Sequence, residues 1–389
     1  MKYLSDVHIK NKKVIVRCDF NVPINDGVVV DDSKIVKSLK TINYLLERNC
    51  KIILLSHLGR VKCEDDKKKY TLYPIKEVLE KNLEKKVTFV TDIDELDKID
   101  DNIILFENTR WFDYPDNLES NNDLELSRKF ASKADIFVFD AFATSHRIHA
   151  STAGIARFLP TYIGFLVKEE LENLAKVVKN PQKPFIVIMG GAKVDDKIPL
   201  IKTLLPSCDK ILLGGGIANS FLKAKGFNIG KSLATMDEEI LSELKYLLEL
   251  YDEKIILPVD LKVLHSGKAL NRKVTEIAAH DNALDIGNKT INKFNSLLID
   301  ASTVFMNGTM GLYENKDFSN GTEKIFEKLK NIPTVLIGGG DTVGAVNVLG
   351  FSNFFLLSSG GGATLIYIAQ KKLDVLEEIE KYEKEKDSL

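Results

Sequence analysis

Short apolar, β-branched runs recur along the chain, separated by longer stretches whose apolar residues return at helical spacing. The clearest runs are residues 14–16, 52–55, 103–106 and 136–139, then 185–188, 211–213, 255–257, 303–305, 334–337 and 354–357. A strand that is apolar at every position, rather than at alternate ones, is buried on both faces. That is the signature of a parallel sheet covered by helices. Strand and helix alternate over the whole length, which predicts an α/β fold.

The chain has 389 residues, more than one ordinary core accommodates. The expected architecture is two Rossmann-like three-layer αβα domains with mainly parallel sheets, joined by a hinge helix across a cleft. A boundary is expected near residues 160–184. Pro160 ends one apolar segment, a charged helical stretch covers 168–179, and Pro181 and Pro184 precede the next strand. We expect an N-terminal domain over 1–166, with the Lys- and Glu-rich tail 371–389 packing back on it, and a C-terminal domain over 167–370. The charged run 62–69 predicts a loop without chemistry of its own.

Composition narrows the function classes. A formal net charge of -2 argues against general nucleic-acid binding, so any basic site must be local. Cys18, Cys50, Cys63 and Cys208 are far apart and form no CxxC pair, which predicts reduced thiols. The first residues lack the apolar stretch of a signal peptide, and no apolar run approaches the roughly 20 residues that span a bilayer. The expected compartment is the cytoplasm.

In open α/β sheets, ligands bind beyond the carboxyl ends of the strands, and the two halves of the chain differ there. In the first half the strands run into Arg17-Cys18-Asp19-Phe20-Asn21-Val22-Pro23, Ser56-His57-Leu58-Gly59-Arg60, Glu107-Asn108-Thr109-Arg110, and Asp140 onward to His146-Arg147. Arg60, Arg110 and Arg147 thus arrive with His57 and His146. Arginine forks onto phosphate and carboxylate, so this set suits a small ligand with several negative charges. For one arginine, pairing with a surface carboxylate is the simpler reading; for three at successive strand ends it is not. The His146 to His149 neighbourhood lacks a third ligand nearby, so no metal is expected there.

In the second half the strands run into glycine: Gly190-Gly191-Ala192-Lys193, Gly214-Gly215-Gly216, Asn307-Gly308-Thr309-Met310-Gly311, Gly338-Gly339-Gly340-Asp341-Thr342 and Gly360-Gly361-Gly362. Glycine lets backbone amides approach a phosphate, and a helix starting just after aims its positive end at the anion. Asp341 is placed to hold Mg2+ directly or through water. Glycine also ends strands for purely structural reasons, yet so many such loops in one domain exceed what turn-making needs. The dinucleotide fingerprint fails, because Asn219 stands where GxGxxG needs its last Gly or Ala. Residues 226–232 imitate a P-loop but are one residue short and follow a helix. The residues therefore predict one domain gripping a small polyanion and another gripping a nucleotide, which implies phosphoryl transfer.

Taken together, these segments resemble the phosphoglycerate kinase family, in order and over nearly the whole chain. The most specific pieces are residues 17–23, 56–60, Gly190-Gly191-Ala192-Lys193-Val194-Asp195-Asp196-Lys197 and 338–342. The resemblance implies that Asp19, Phe20, Asn21, Lys34, His57, Leu58, Gly59, Arg60, Arg110 and Arg147 bind 3-phosphoglycerate or 1,3-bisphosphoglycerate. It implies a nucleotide site for ADP or ATP from Gly191, Ala192, Lys197, Gly215, Gly216, Asn307, Glu314, Gly338, Gly339, Gly340, Asp341 and Thr342, with Mg2+ at Asp341. Lys193, Lys34, Gly361 and Gly362 would act on the transferring phosphoryl group in a monomeric, hinge-bending enzyme of glycolysis and gluconeogenesis. No general base is needed, because a carboxylate or an ADP phosphate is already deprotonated at neutral pH.

The chain departs from the family pattern in places. Lys34 stands in Asp31-Asp32-Ser33-Lys34-Ile35 where the family has arginine, keeping the charge but losing the planar fork. Thr309 replaces the proline of Asn-Gly-Pro, and Asn282-Ala283-Leu284-Asp285 replaces Met-Gly-Leu-Asp. Lys34 also leaves open a catalytically weakened binding or regulatory protein of the same fold. A coupled assay separates the two readings.

Overall fold

The structure is a computed structural model, and it describes residues 1–389 apart from 180, 193, 195, 196, 353, 354, 359 and 389. The chain divides into two compact units, Met1–Leu171 with Lys372–Leu389, and Glu172–Lys371. The division falls within the helix Phe165–Val178.

The first unit is built on a six-stranded parallel sheet. In chain order its strands are β1 (Lys13–Arg17), β4 (Lys51–Leu55), β5 (Thr88–Val90), β6 (Ile103–Phe106), β7 (Ile136–Phe139) and β8 (Thr161–Ile163). A small hairpin of β2 (Ile24–Asn25) and β3 (Val28–Val29) stands beside it. The spatial order is β5-β6-β4-β1-β7-β8. The chain therefore fills one side of β1, with β6 returning between β4 and the edge strand β5, and then crosses to the other, with the reversal between β1 and β7. β6 and β7 are buried at every position, as continuous apolar runs require. The helix Ser33–Leu46 covers the sheet with Ile35, Ser38, Thr41, Ile42 and Leu45 buried, the 3–4–3 spacing of a one-sided helix.

The second unit repeats the plan. Its strands are β9 (Phe185–Met189), β10 (Lys210–Leu213), β11 (Ile255–Ile256), β15 (Thr303–Asn307), β16 (Thr334–Gly338) and β17 (Leu356–Leu357), in the order β11-β10-β9-β15-β16-β17. All pairings in this sheet are parallel, and the reversal lies between β9 and β15. Between β11 and β15 the chain adds an antiparallel sheet, β12 (Asp260–His265), β13 (Lys268–Lys273) and β14 (Asn282–Ile286), ordered β13-β12-β14. The apolar pattern did not announce it. β13 reads Lys-Ala-Leu-Asn-Arg-Lys and is largely exposed, so it carries no apolar run.

One expectation for a charged segment needs correction. The run 62–69 is not only loop, because Glu64–Lys69 is helical. Its acidic first turn and basic last turn match the helix dipole, which supports so short a helix without any buried side chain. The tail forms the helix Asp374–Asp387 and buries Val375, Leu376, Ile379 and Glu383. It is pinned to the first unit at both ends. Val375 N donates to Ser145 O at 3.0 Å, and the Glu383 carboxylate accepts from Thr161 N at 3.1 Å and from Lys2 Nζ at 3.1 Å. Lys386 Nζ adds bonds to Glu383 and to Ala156 O.

Glu383→Ala would strand the buried Thr161 amide, a loss worth about 1–3 kcal/mol. Denaturant unfolding followed in the first unit should show a lower midpoint at unchanged slope. A change below about 0.5 kcal/mol, typical of a surface position, would contradict this account of the tail.

Candidate functional site

At the carboxyl ends of β1, β4, β6 and β7 a cavity of about 600 Å³ is lined by Asn21, His57, Gly59, Arg60, Lys62, Asp66, Tyr70, Arg110 and Arg147. Six of these were expected from the sequence. Asp19 and Lys34 pair beside them, with Lys34 Nζ 2.8 Å from Asp19 Oδ2 and 3.3 Å from Asn21 O. Phe20 and Leu58 differ from the rest, because their side chains are in the hydrophobic core. They can offer a ligand only backbone.

The loops are tied to one another through one buried amide. Asn108 Oδ1 accepts from Leu58 N at 3.1 Å and from Arg110 N at 3.0 Å, while Nδ2 donates to Leu58 O and Tyr70 O, both at 2.7 Å. Every hydrogen-bonding capacity of that side chain is thus spent on holding the ends of β4 and β6 together. Asn21 Oδ1 accepts from Gly59 N at 3.1 Å and joins the β1 loop to the β4 loop. Arg110 Nη1 donates to Gly59 O at 2.9 Å, which aims the rest of its guanidinium at the cavity.

Beneath this layer lies a second one. Arg17 is fully buried; its Nη1 donates to Cys18 O at 2.9 Å and its Nη2 lies 3.2 Å from His57 Nδ1. Glu119, also fully buried, accepts from Thr109 Oγ1 at 3.1 Å and from Ser151 N at 3.0 Å, with His149 Nδ1 at 3.8 Å. Its charge, with that of Asp113, opposes the local positive excess felt by Arg17 and Arg110. Burial and the neighbouring arginines push His149 down to about 4 and His57 well below the usual histidine range. The positive charge of the cavity therefore comes from arginine and lysine, and its histidines are neutral at physiological pH. Arg147 is exposed, with Nε donating to His146 Nε2 at 3.0 Å.

In the second unit the glycine loops converge at the reversal between β9 and β15. Gly190 N donates to Asn307 O at 2.9 Å and Gly191 N to Thr309 O at 2.9 Å. At Gly308, φ is +91° and a Cβ would lie 2.0 Å from Gly190 O, so only glycine lets the two strand ends touch. Lys197 Nζ crosses this junction, 2.9 Å from Gly190 O and 3.4 Å from Asn307 O. Asn307 Nδ2 donates to Gly338 O at 2.8 Å, whereas its buried Oδ1 has no partner among the described residues. Thr342 Oγ1 accepts from Gly308 N at 2.6 Å and ties the β15 loop to the helix Gly340–Val348.

Asp341 is exposed in the first turn of that helix, and burial together with Glu314 and Asp341 raises the Tyr313 hydroxyl. The predicted residues Glu314 and Asp341 thus share one neighbourhood. Gly215 and Gly216 open the helix Gly215–Ala224, and Gly361 precedes the helix Gly362–Gln370. Ala192 is exposed beside them. Lys193 lies outside the described residues, as do Asp195, Asp196 and Ser359.

The phosphoglycerate kinase family model matches residues 4–371. The phosphoglycerate kinase of Macrococcus caseolyticus is 43% identical over 97% of this chain and 98% of its own length. That of Enterococcus faecalis is 44% identical over 97% and 98%. The chain belongs to the phosphoglycerate kinase family. Among solved structures, phosphoglycerate kinase from Coxiella burnetii aligns with a TM-score of 0.88 at 34% identity, covering 97% of this chain and 98% of that one. The enzyme from Pyrococcus horikoshii OT3 aligns with a TM-score of 0.84 at 29% identity, covering 99% and 100%. The protein is accordingly a phosphotransferase. No helix among the described residues is long and apolar enough to cross a membrane.

Within this kinase family fold, sequence reasoning missed Lys62, Asp66 and Tyr70 on the cavity wall. Lys62 N donates to Asp66 Oδ2 at 2.9 Å, which folds the charged run back toward Arg60. The dipole-matched charges of residues 64–69 were the available signal. The Thr309 departure is absorbed at the backbone, because it is the carbonyl of residue 309 that holds Gly191.

Gly215 has φ +57°, and a Cβ there would lie 2.9 Å from Gly191 N and O. Gly215→Ala should weaken ADP binding by at least about tenfold by forcing these two loops apart. Affinity for 3-phosphoglycerate should stay unchanged. Calorimetric titration with each ligand checks this, and parallel losses for both would contradict it.

Proposed function

We propose that the first unit binds 3-phosphoglycerate or 1,3-bisphosphoglycerate and the second binds ADP or ATP with Mg2+. The chain then moves a phosphoryl group directly and reversibly from 1,3-bisphosphoglycerate to Mg-ADP, giving 3-phosphoglycerate and Mg-ATP. The observation that carries this reading is the first-unit cavity, where Arg60, Arg110, Arg147, His57 and Asn21 surround a space of about 600 Å³. A volume of that order, walled by forked cations and nearly free of apolar side chains, suits a small polyanion rather than an apolar ligand.

The donor set in the second unit supports the nucleotide half. Glycine loops bring backbone amides close to a phosphate chain, and Lys197 and Asn307 stand at their junction. The unpartnered, buried Asn307 Oδ1 marks a position where a bound group would complete the hydrogen bonding. Mg2+ characteristically takes one or two carboxylates and fills the rest of its shell with phosphate oxygens and water. Asp341, an exposed carboxylate in the first turn of a helix at the end of β16, fits that requirement. The ion would neutralise phosphate charge on the nucleotide.

The chain's own contribution is positioning and charge compensation. Lys34, held against Asp19 and Asn21, and Lys193 act on the transferring group in this reading, together with the helix that begins after Gly361. Both acceptor oxygens are ionised at neutral pH, so no side chain has to remove a proton. Residues 1–166 with the tail serve the triose and 167–370 the nucleotide. Transfer then needs the two held substrates brought into line by domain closure about the helix near residues 168–179. The reading includes a monomer in the cytoplasm; the absence of disulfides among Cys18, Cys50, Cys63 and Cys208 is compatible with that compartment.

A coupled assay with 3-phosphoglycerate and Mg-ATP tests the proposal, and absence of turnover would overturn it. Two variants sharpen it. Lys34→Arg should leave turnover unchanged or raise it, since a guanidinium can reach both Asp19 and Asn21 O; a large drop would mean that the lysine has its own coordinated role. Lys193→Ala should lower kcat by roughly 10²-fold or more, as for a lost transition-state charge contact, and near-normal kcat would count against its role.

A further inference from the structure

Arg17 is the largest polar side chain that the first unit buries completely, and its charge is poorly compensated. Among the described residues no carboxylate lies within ion-pair distance of it. Its hydrogen-bond contacts are Cys18 O at 2.9 Å, Leu55 O at 3.4 Å and His57 Nδ1 at 3.2 Å, and its Nε has no partner among the described residues. Burying a guanidinium without a paired carboxylate is strongly unfavourable. A fold that could place an apolar residue at the end of β1 has no packing reason to do so.

The contact with His57 supplies a reason. A guanidinium has only N–H donors and does not lose its proton in proteins. The histidine nitrogen facing it must therefore be the acceptor, so Nδ1 is unprotonated and the ring proton sits on Nε2. A ring turned by 180° would put Cδ2 against the guanidinium and lose the bond. Protonating Nδ1 would set N–H against N–H and one cation against another. His57 is itself almost fully buried and lines the cavity, and with Nδ1 taken, its remaining polar atom is left for a ligand.

We propose that Arg17 is a positioning residue that locks His57 as a neutral imidazole, presenting Nε2–H as a fixed donor to an anionic oxygen of the triose substrate. This rests on the triose site proposed above and adds the device that keeps one of its donors uncharged. The environment acts in the same direction. Burial, Arg17 on β1, Arg110 after β6, Lys34 on the helix Ser33–Leu46 and His149 all lower the proton affinity of His57. Asp19 and Glu119 are the carboxylates whose fields reach Arg17. A neutral N–H donor holds an anionic oxygen without transferring its proton to it.

The test is ¹⁵N NMR of the histidine rings in the intact protein, titrated from pH 5.5 to 8 without ligand. The lock requires His57 Nδ1 at the shift of an unprotonated nitrogen and Nε2 at that of a protonated one, with neither moving over the range. A His57 that titrates in this window, or whose proton is on Nδ1, overturns the proposal in the wild-type protein, with no variant needed. In Arg17→Met, folding checked by thermal melting, the His57 shifts should begin to move with pH. The KM for 3-phosphoglycerate should then vary with pH between 5.5 and 8 beyond the variation that the substrate phosphate's own ionisation gives in the wild type. An unchanged, non-titrating His57 in a folded Arg17→Met protein would also overturn the lock. Adding 3-phosphoglycerate separates this from the parent reading. If the wild-type ring is locked but its Nε2 resonance ignores the ligand, the triose assignment fails while the lock stands.

Discussion

Holding like charges together is the constraint on which the first unit depends. Arg17, Arg110 and Lys34 converge on His57, and Arg60 and Arg147 complete the cavity wall. Left alone, such a set would repel and splay. It is kept in place by a carboxylate on each flank, Asp19 against Lys34 and Glu119 beneath Arg110 and Arg17, and by carbonyl oxygens of Gly59, Cys18 and Leu55 that take the guanidinium protons. The Gly59 and Cys18 carbonyls lie just beyond the strand ends, while Leu55 O also accepts from Cys18 N at 2.9 Å. The strand ends thus supply acceptors for the buried guanidiniums, while Arg60, Arg110 and Arg147 line the cavity.

The second unit solves the opposite problem. In the proposed reading it must bring neutral backbone close to a charged ligand, and side chains are the obstacle. Gly190, Gly308 and Gly215 remove that obstacle where β9, β10 and β15 end, at the point where the strand order reverses. Only then can Lys197 span two strand ends and Thr342 lock a third loop to them. Two departures from the family pattern keep their contacts: Thr309 acts through its carbonyl, and Lys34 keeps the charge that pairs with Asp19 and Asn21 O.

What could be read beforehand follows from how each feature is encoded. Buried parallel strands are apolar at every position, so β1, β4, β6 and β7 stood out, and the arginines stood out because they follow those strands. β5, β8 and β13 did not, being short or mixed in polarity. Asn108 was visible as a letter, yet its role, four bonds tying Leu58, Tyr70 and Arg110, exists only once three loops distant in sequence meet. Lys62, Asp66 and Tyr70 were missed because a dense charge run usually means a solvated surface. Arg17 was read only as the first residue of the segment that follows the β1 run, because its contact with His57 exists only once the ends of β1 and β4 lie side by side.

The central claim is a division of labour: the anionic triose is gripped by the strand ends of one unit and the nucleotide by those of the other. Hydrogen exchange of the intact protein with each ligand alone tests it most directly. With 3-phosphoglycerate, protection should rise in residues 17–21, 56–60 and 107–110 and stay unchanged in 190–216. With Mg-ADP the pattern should invert, with 190–216, 307–315 and 338–342 protected and the first set unchanged. Protection by 3-phosphoglycerate centred on the glycine loops, or by Mg-ADP on the arginine loops, would contradict the account.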